Sequence, residues 1–273
     1  RFKIKKYYLN SYEMFKDLQD VDGFVVAVPH EITLFYVKKI IKLGLPALIE
    51  KPLALNHNLL KPYLKTKNIK VAYNRRFYGS VKDAQKFVSK KKNMMVHINL
   101  PEIINDKNKS KKKIYKRVLS NSVHAIDLIY YLFFKPKIIY QKSVYNKRNN
   151  KGCVVIFRDL NNNLINLFCS WNSKTNWSFL INDKISTFEL KPLEIARFCQ
   201  NFKIINPTNT IKIRTYKPEI KRFNVCTEDI KFKPGFLNQM LEFKKFILSG
   251  KSNRLATIKN SFDALKVSKK LIS

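Results

Sequence analysis

The sequence predicts a parallel, doubly wound α/β sheet over residues 1–79, then an α+β unit with a broad antiparallel or mixed sheet over residues 80–273. Three observations carry this. The apolar runs GFVVAVP (23–29) and PALIEKP (46–52) are short and nearly continuous, as in strands buried on both faces. A helix-length segment with an apolar stripe separates them, so strand and helix alternate. Beyond Gly79 the runs change to two-residue alternation, as in MMVHINL and LINLFCSW, the pattern of strands with one buried face.

In chain order, NSYEMFKDL is a short helix with Asn10 as its N-cap and Glu13 three residues on. GFVVAVP is a strand. The next helix places Ile32, Phe35, Tyr36 and Ile40 on its inner side and stops at Gly44. PALIEKP and IKVAYNRRF (69–77) are further strands. Ser80 caps a helix with Val81, Ala84, Phe87 and Val88 inward. MMVHINL, IIYQKSVY, CVVIFRD, LINLFCSW and WSFLIND then read as antiparallel strands joined by turns such as DLNNN. GFLNQMLEFKKFILSG and IKNSFDALKVSKKLIS close the chain as helices. No repeat and no Pro/Gly/Ser-rich linker divides the halves.

Composition narrows the function classes. A hydrophobic fraction of 45 % supports a sizeable core. No run approaches the roughly 18–20 apolar residues of a membrane span, and Arg1 opens a basic stretch without the apolar region of a signal peptide. The expectation is a cytoplasmic chain with no membrane partner. The net charge is +35. The lysines are scattered through a chain also rich in Asn, Ile, Phe and Tyr, as AT-rich coding produces, and no nucleic-acid reader module is present, so no nucleic-acid partner is expected. Cys153, Cys169, Cys199 and Cys226 are too far apart for zinc or redox spacing, and read as reduced core thiols. No metal site is expected.

In doubly wound sheets ligands bind beyond the carboxyl ends of the strands. Pro29, Glu50-Lys51 and Asn74-Arg75-Arg76 fall there. A lysine in such a cleft has a lowered pKa when buried, and can then move a proton. His124 shares a helix face with Asp127, Leu128 and Tyr131, and its ordinary pKa of about 6.5 suits a base. Asp127 is placed to steady the helix N-terminus or orient the ring. His30, His57 and His97 have no such context.

The segments VDGFVVAVP, LIEKPLAL, VAYNRRF, NSVHAIDLIYYLF and KPGFLNQMLEF, taken in order and spacing, resemble the Gfo/Idh/MocA oxidoreductases. The combination of EKP after a strand with a later H-x-x-D is the specific part. The resemblance implies a partial Rossmann-type domain followed by a substrate and oligomerisation domain, and an NAD(P)-dependent sugar or nucleotide-sugar dehydrogenase, with surface-polysaccharide sugars favoured. It implies Lys51 and His124 as catalytic residues. NAD or NADP would meet Ala27, Pro29, Glu50, Lys51, Asn74 and Arg75. The substrate would meet Ser120, Asn121, Asp127, Lys116, Arg117 and Arg76. Lys116 and Arg117 close the basic stretch KNKSKKKIYKR, which suits a diphosphate. A homo-oligomer, formed through the open face of the second sheet, is implied too.

The chain departs from that family in three places. Ser120 stands where many members carry Asp, and Thr33 where they often carry His. The dinucleotide fingerprint G-x-G-x-x-G is nowhere among the six dispersed glycines. The expectation is an N-terminally truncated member that binds nicotinamide cofactor weakly or not at all. A degenerate, non-catalytic relative that binds a sugar or a partner subunit is the alternative.

Overall fold

The computed structural model describes residues 6–103, 118–146 and 149–272. The chain begins with α1 (Ser11–Lys16), whose Asn10 cap accepts a hydrogen bond from the Glu13 N–H at 3.0 Å. Then come β1 (Phe24–Val26), α2 (His30–Leu43), β2 (Ala47–Ile49) and β3 (Ile69–Val71). β1, β2 and β3 pair in parallel. β2 and β3 are buried at every position, which is why their apolar runs are continuous. β1 forms one edge of this small sheet, with Val25 exposed. Gly44 ends α2 in the left-handed conformation, at φ +73°.

The inner face of α2 differs from the sequence expectation. Thr33, Val37 and Ile40 are buried, whereas Ile32 and Phe35 face solvent. The true stripe is displaced around the helix, because Thr33 fits against the core by donating its hydroxyl to the Pro29 carbonyl.

Between β2 and β3 lies a 3-10 turn, His57–Tyr63, and after β3 a second, Asn74–Phe77. α3 (Gly79–Val88) follows with Val81, Ala84 and Val88 buried. Ser80 is not its cap. It sits inside the helix and donates its hydroxyl to the Leu193 carbonyl at 2.6 Å.

The large sheet comprises β4 (Met95–Glu102), β5 (Lys137–Asn146), β6 (Asn149–Arg158), β7 (Leu164–Trp171), β8 (Ser178–Asn182), β9 (Thr187–Leu190), β10 (Ala196–Ile205) and β11 (Thr215–Arg222). Its spatial order is β11-β10-β9-β8-β4-β7-β6-β5. All neighbours are antiparallel except β4 and β7, which run parallel over their full length. The sheet is therefore mixed, because β4 enters between two later strands. One face is buried, as the alternation in β7 requires. Cys153 and Cys169 face each other across β6 and β7 as buried free thiols. Cys199 and Cys226 are free but half-exposed, so only two of the four are core residues.

A π-helical turn, Val118–Ser122, leads into α4 (Val123–Leu132), in which only Tyr130 and Tyr131 are not buried. This helix is apolar nearly all round because it lies inside the molecule. After the short α5 (Thr227–Lys231), α6 (Phe236–Ser249) packs Phe243 and Phe246 on the small sheet. β12 (Ala256–Thr257) pairs antiparallel with β3 and becomes the other edge of that sheet. α7 (Ile258–Lys270), opened by a Thr257–Asn260 capping box, packs on α4.

Candidate active site

The site is built from strand ends. Each parallel strand stops after three residues, and the chain turns sharply at its carboxyl end. Ala27 and Pro29 lie on the loop from β1 to α2, where the Pro29 carbonyl accepts from Ile32 N–H and Thr33 Oγ1. Glu50 and Lys51 follow β2, and the Lys51–Pro52 bond is cis. Tyr73, Asn74, Arg75 and Arg76 follow β3.

Lys51 is half-buried. Its ammonium donates to the carbonyl of Ser120 in the π-helical turn. Burial pulls its pKa below the ordinary 10.5, the Glu50 charge pulls it back up, and Arg75 and Lys233 push it down further. Burial raises the Glu50 carboxyl, against the opposing charges of Lys51 and Lys233. His124 is 6 % exposed, at the second position of α4. Its Nδ1 is buried with no hydrogen-bond partner among the described residues, and the ring meets Tyr73 edge-on at 5.7 Å. Burial drives its pKa well below 6.5, and Arg75, Lys51 and Lys233 add to the shift. The imidazole is therefore neutral at pH 7. Three cations around a neutral imidazole keep the ring unprotonated and favour negative charge on an oxygen placed among them.

A polar frame holds the turn that Lys51 touches. Glu102, buried at the end of β4, accepts from Asn121 Nδ2 at 2.6 Å and Ser122 Oγ at 2.8 Å. Arg75 donates to Asn121 Oδ1 at 2.7 Å and lies 3.9 Å over the Trp177 ring. Trp177 in turn donates to the Pro101 carbonyl. Lys51, Ser120, Asn121, Arg75 and His124 thus come together. Glu102, Tyr73, Trp177 and Lys233 complete the frame and were not assigned from sequence. Tyr73 and Lys233 sit inside quoted motifs. Glu102 lies just past the quoted strand MMVHINL with nothing in the sequence to single it out, and Trp177 opens the quoted WSFLIND with no signal beyond a strand start.

Three expected residues are turned elsewhere. Arg76 and Asp127 form a bidentate pair at 2.6 and 2.7 Å, exposed 3 % and 1 %. Asp127 therefore holds Arg76, with no hydrogen bond to the His124 ring, because an uncompensated charge at that depth is untenable. Asn74 donates to the Pro234 carbonyl at 3.1 Å. In the orientation that satisfies its amide, Gln239 accepts from the Tyr73 and Asn74 N–H groups. Lys116 and Arg117 lie outside the described residues.

A nicotinamide cofactor fits this arrangement at one end only. Glu50, Lys51 and Arg75 provide polar and charged groups at the strand ends. A glycine-rich turn opening a helix, the usual pyrophosphate cradle, is not found among the described residues. Among those residues no group of His, Cys, Asp and Glu could hold a metal ion, and no helix is long and apolar enough to cross a membrane.

The architecture is that of a class of solved oxidoreductases and dehydrogenases. An oxidoreductase from Thermotoga maritima matches with a TM-score of 0.70 at 15 % identity, over 96 % of this chain and 79 % of its own. A UDP-N-acetylglucosamine 3-dehydrogenase from Acidithiobacillus ferrooxidans matches at 0.69 and 11 %, over 93 % and 79 %. A myo-inositol dehydrogenase from Corynebacterium glutamicum matches at 0.62 and 15 %, over 95 % and 79 %. At such low identity, the TM-scores show a shared fold. No protein-family model matches the sequence, and no curated protein matches it.

Proposed function

We propose that the chain is an NAD(P)-dependent oxidoreductase of the Gfo/Idh/MocA type, acting on a carbinol of a sugar or nucleotide sugar in surface-polysaccharide metabolism. The observation that carries this reading is a half-buried lysine of lowered pKa beside a buried neutral histidine, at the carboxyl ends of parallel strands. The shared fold with a nucleotide-sugar dehydrogenase and an inositol dehydrogenase supports it. The nicotinamide, when bound, would take the hydride. This chain's part is the proton. Lys51, whose lowered pKa favours its neutral amine, accepts it from the substrate hydroxyl, while the neutral His124 ring and Arg75 hold the oxygen as it gains charge. Ser120 and Asn121 are proposed to meet the sugar, and Ala27, Pro29, Glu50 and Arg75 the cofactor, with Asn74 holding the loop behind them through the Pro234 carbonyl. Arg76 and Asp127 support the same wall from behind.

We assign residues 1–79 to the cofactor half and 80–273 to the substrate half, except that residues 256–257 return to add the fourth strand of the first sheet. Met95, Tyr140 and Phe168, exposed on the outer face of the large sheet, support a homo-oligomer, and light scattering on the purified chain tests it.

The experiment is a panel of nucleotide sugars and polyols with NAD+ and NADP+, read by the absorbance of reduced nicotinamide. Turnover with at least one pair is expected, and Lys51→Ala and His124→Ala should each reduce it about 100-fold or more. The second reading is a chain that binds a sugar or a partner subunit without catalysis, favoured by the absence of G-x-G-x-x-G from the sequence. Saturable sugar binding by calorimetry without turnover or cofactor binding would establish that one instead.

A further inference from the structure

A cavity of about 840 Å³ lies on the β12 flank of the small sheet, between the loop at 64–67, the carboxyl end of α6 and the loop at 249–254. None of its lining residues belongs to the strand-end cleft. Six are cations: Lys65, Lys67, Lys70, Lys245, Lys251 and Arg254. Glu242 is the only lining carboxylate, and one of its oxygens already accepts from Ser252 at 2.6 Å.

Lys70 is the unusual member. It lies inside β3 and is 7 % exposed. Its ammonium rests 4.4 Å over the Phe246 ring and has no hydrogen bond or carboxylate partner among the described residues. Exposure to solvent on α6 accounts for Lys245, and the carbonyl end of that helix, just before it, for Lys251. Neither accounts for a cation withdrawn from water inside a strand. The aliphatic stem of Lys70 packs well as a snorkelling side chain, yet a methionine would cover Phe246 equally and carry no desolvation cost. What a lysine adds is a further charge at the wall of a basin in which six cations face a single carboxylate.

We propose that this basin binds a small phosphate-bearing anion, a phosphomonoester or a diphosphate, with Lys70 as its buried anchor. The volume suits a small ligand, since such pockets span roughly 300–1,000 Å³. Ammonium groups bind phosphate as point charges from several directions, which matches flexible lysines on three separate segments. The site is independent of the strand-end cleft and of the reaction proposed there.

The test is calorimetric titration of the full chain with pyrophosphate and with a simple phosphomonoester, at ionic strength held constant with chloride. Saturable one-to-one binding is expected for at least one of them. Lys70→Met, which keeps the stem over Phe246, should weaken it at least tenfold. Lys245→Gln, on the exposed surface of α6, should weaken it about threefold, and it keeps the test open if Lys70→Met does not fold. No saturable binding to the unaltered chain, or affinity unchanged in both variants, overturns the proposal. So does uptake of duplex DNA with the same steep salt dependence and no loss in Lys70→Met, which would assign the charge to general polyanion attraction.

Discussion

Lys51 is stabilised poorly and placed well. Its amine has one neutral partner, the Ser120 carbonyl, and sits near two other cations. Replacing it with methionine removes a desolvated charge but also the main counter-charge of Glu50, so the two effects offset and thermal unfolding should show Lys51→Met within about 1 kcal/mol of the unaltered chain, while turnover is lost. His124 sets a pH dependence with a definite sign. Its folded pKa is depressed, so below about pH 6.5 the unfolded chain takes a proton that the folded chain refuses. Stability therefore falls as pH drops below that value, by up to about 1.4 kcal/mol per unit, until the folded ring titrates. Denaturant melts across this window should show the slope reduced in His124→Asn. Arg76 and Asp127 behave oppositely. Removing either alone by alanine leaves a buried charge and should cost about 3–5 kcal/mol, measurable in urea. At this scale the sequence was legible wherever chemistry and a strand end coincided, as at Lys51. It was not legible for Arg76, because whether an arginine faces a cleft or a buried carboxylate depends on Asp127, fifty-one positions away.

Two turns hold the site in place. The first is the loop before α6. Gly235 has φ +75°, and a Cβ there would come within 2.2 Å of the Asn74 carbonyl. Its N–H donates to Asp229, whose other oxygen accepts from Gly79 N–H, tying this loop to the end of the second 3-10 turn. Gly235→Ala combines positive φ with a backbone collision and should cost about 3 kcal/mol or more, read as a lowered unfolding midpoint. The second is the π-helical turn. Glu102→Ala would remove the shared acceptor of Asn121 and Ser122 and should cost about 2–4 kcal/mol by the same measurement. Periodicity located β4 to β8, since one buried face leaves an alternating trace. It gave neither partner nor direction, so the parallel pairing of β4 with β7 came only from the structure. The face of α2 was misread because its apolar residues outnumber those the core can cover. β9 to β12 were missed in part because β10 and β11 expose most of their length and carry no core pattern.

At the scale of the whole molecule, the two-sheet architecture was the most legible feature, because it rests on a change of period near Gly79 rather than on any single residue. The net charge of +35 was the least informative, since most of it is spread over exposed lysines. β12 has a further consequence. The small sheet takes its last strand from residues 256–257, which pair with residues 70–71. The pairing spans most of the chain, and α7 beyond it packs on both the first 3-10 turn and α4. During synthesis the small-sheet half therefore emerges first and waits. Its fourth strand and the helix that covers it arrive only with the last residues described. Closure of so long a loop is slow to nucleate, so this half should mature late, and after the large sheet, although it is translated before it.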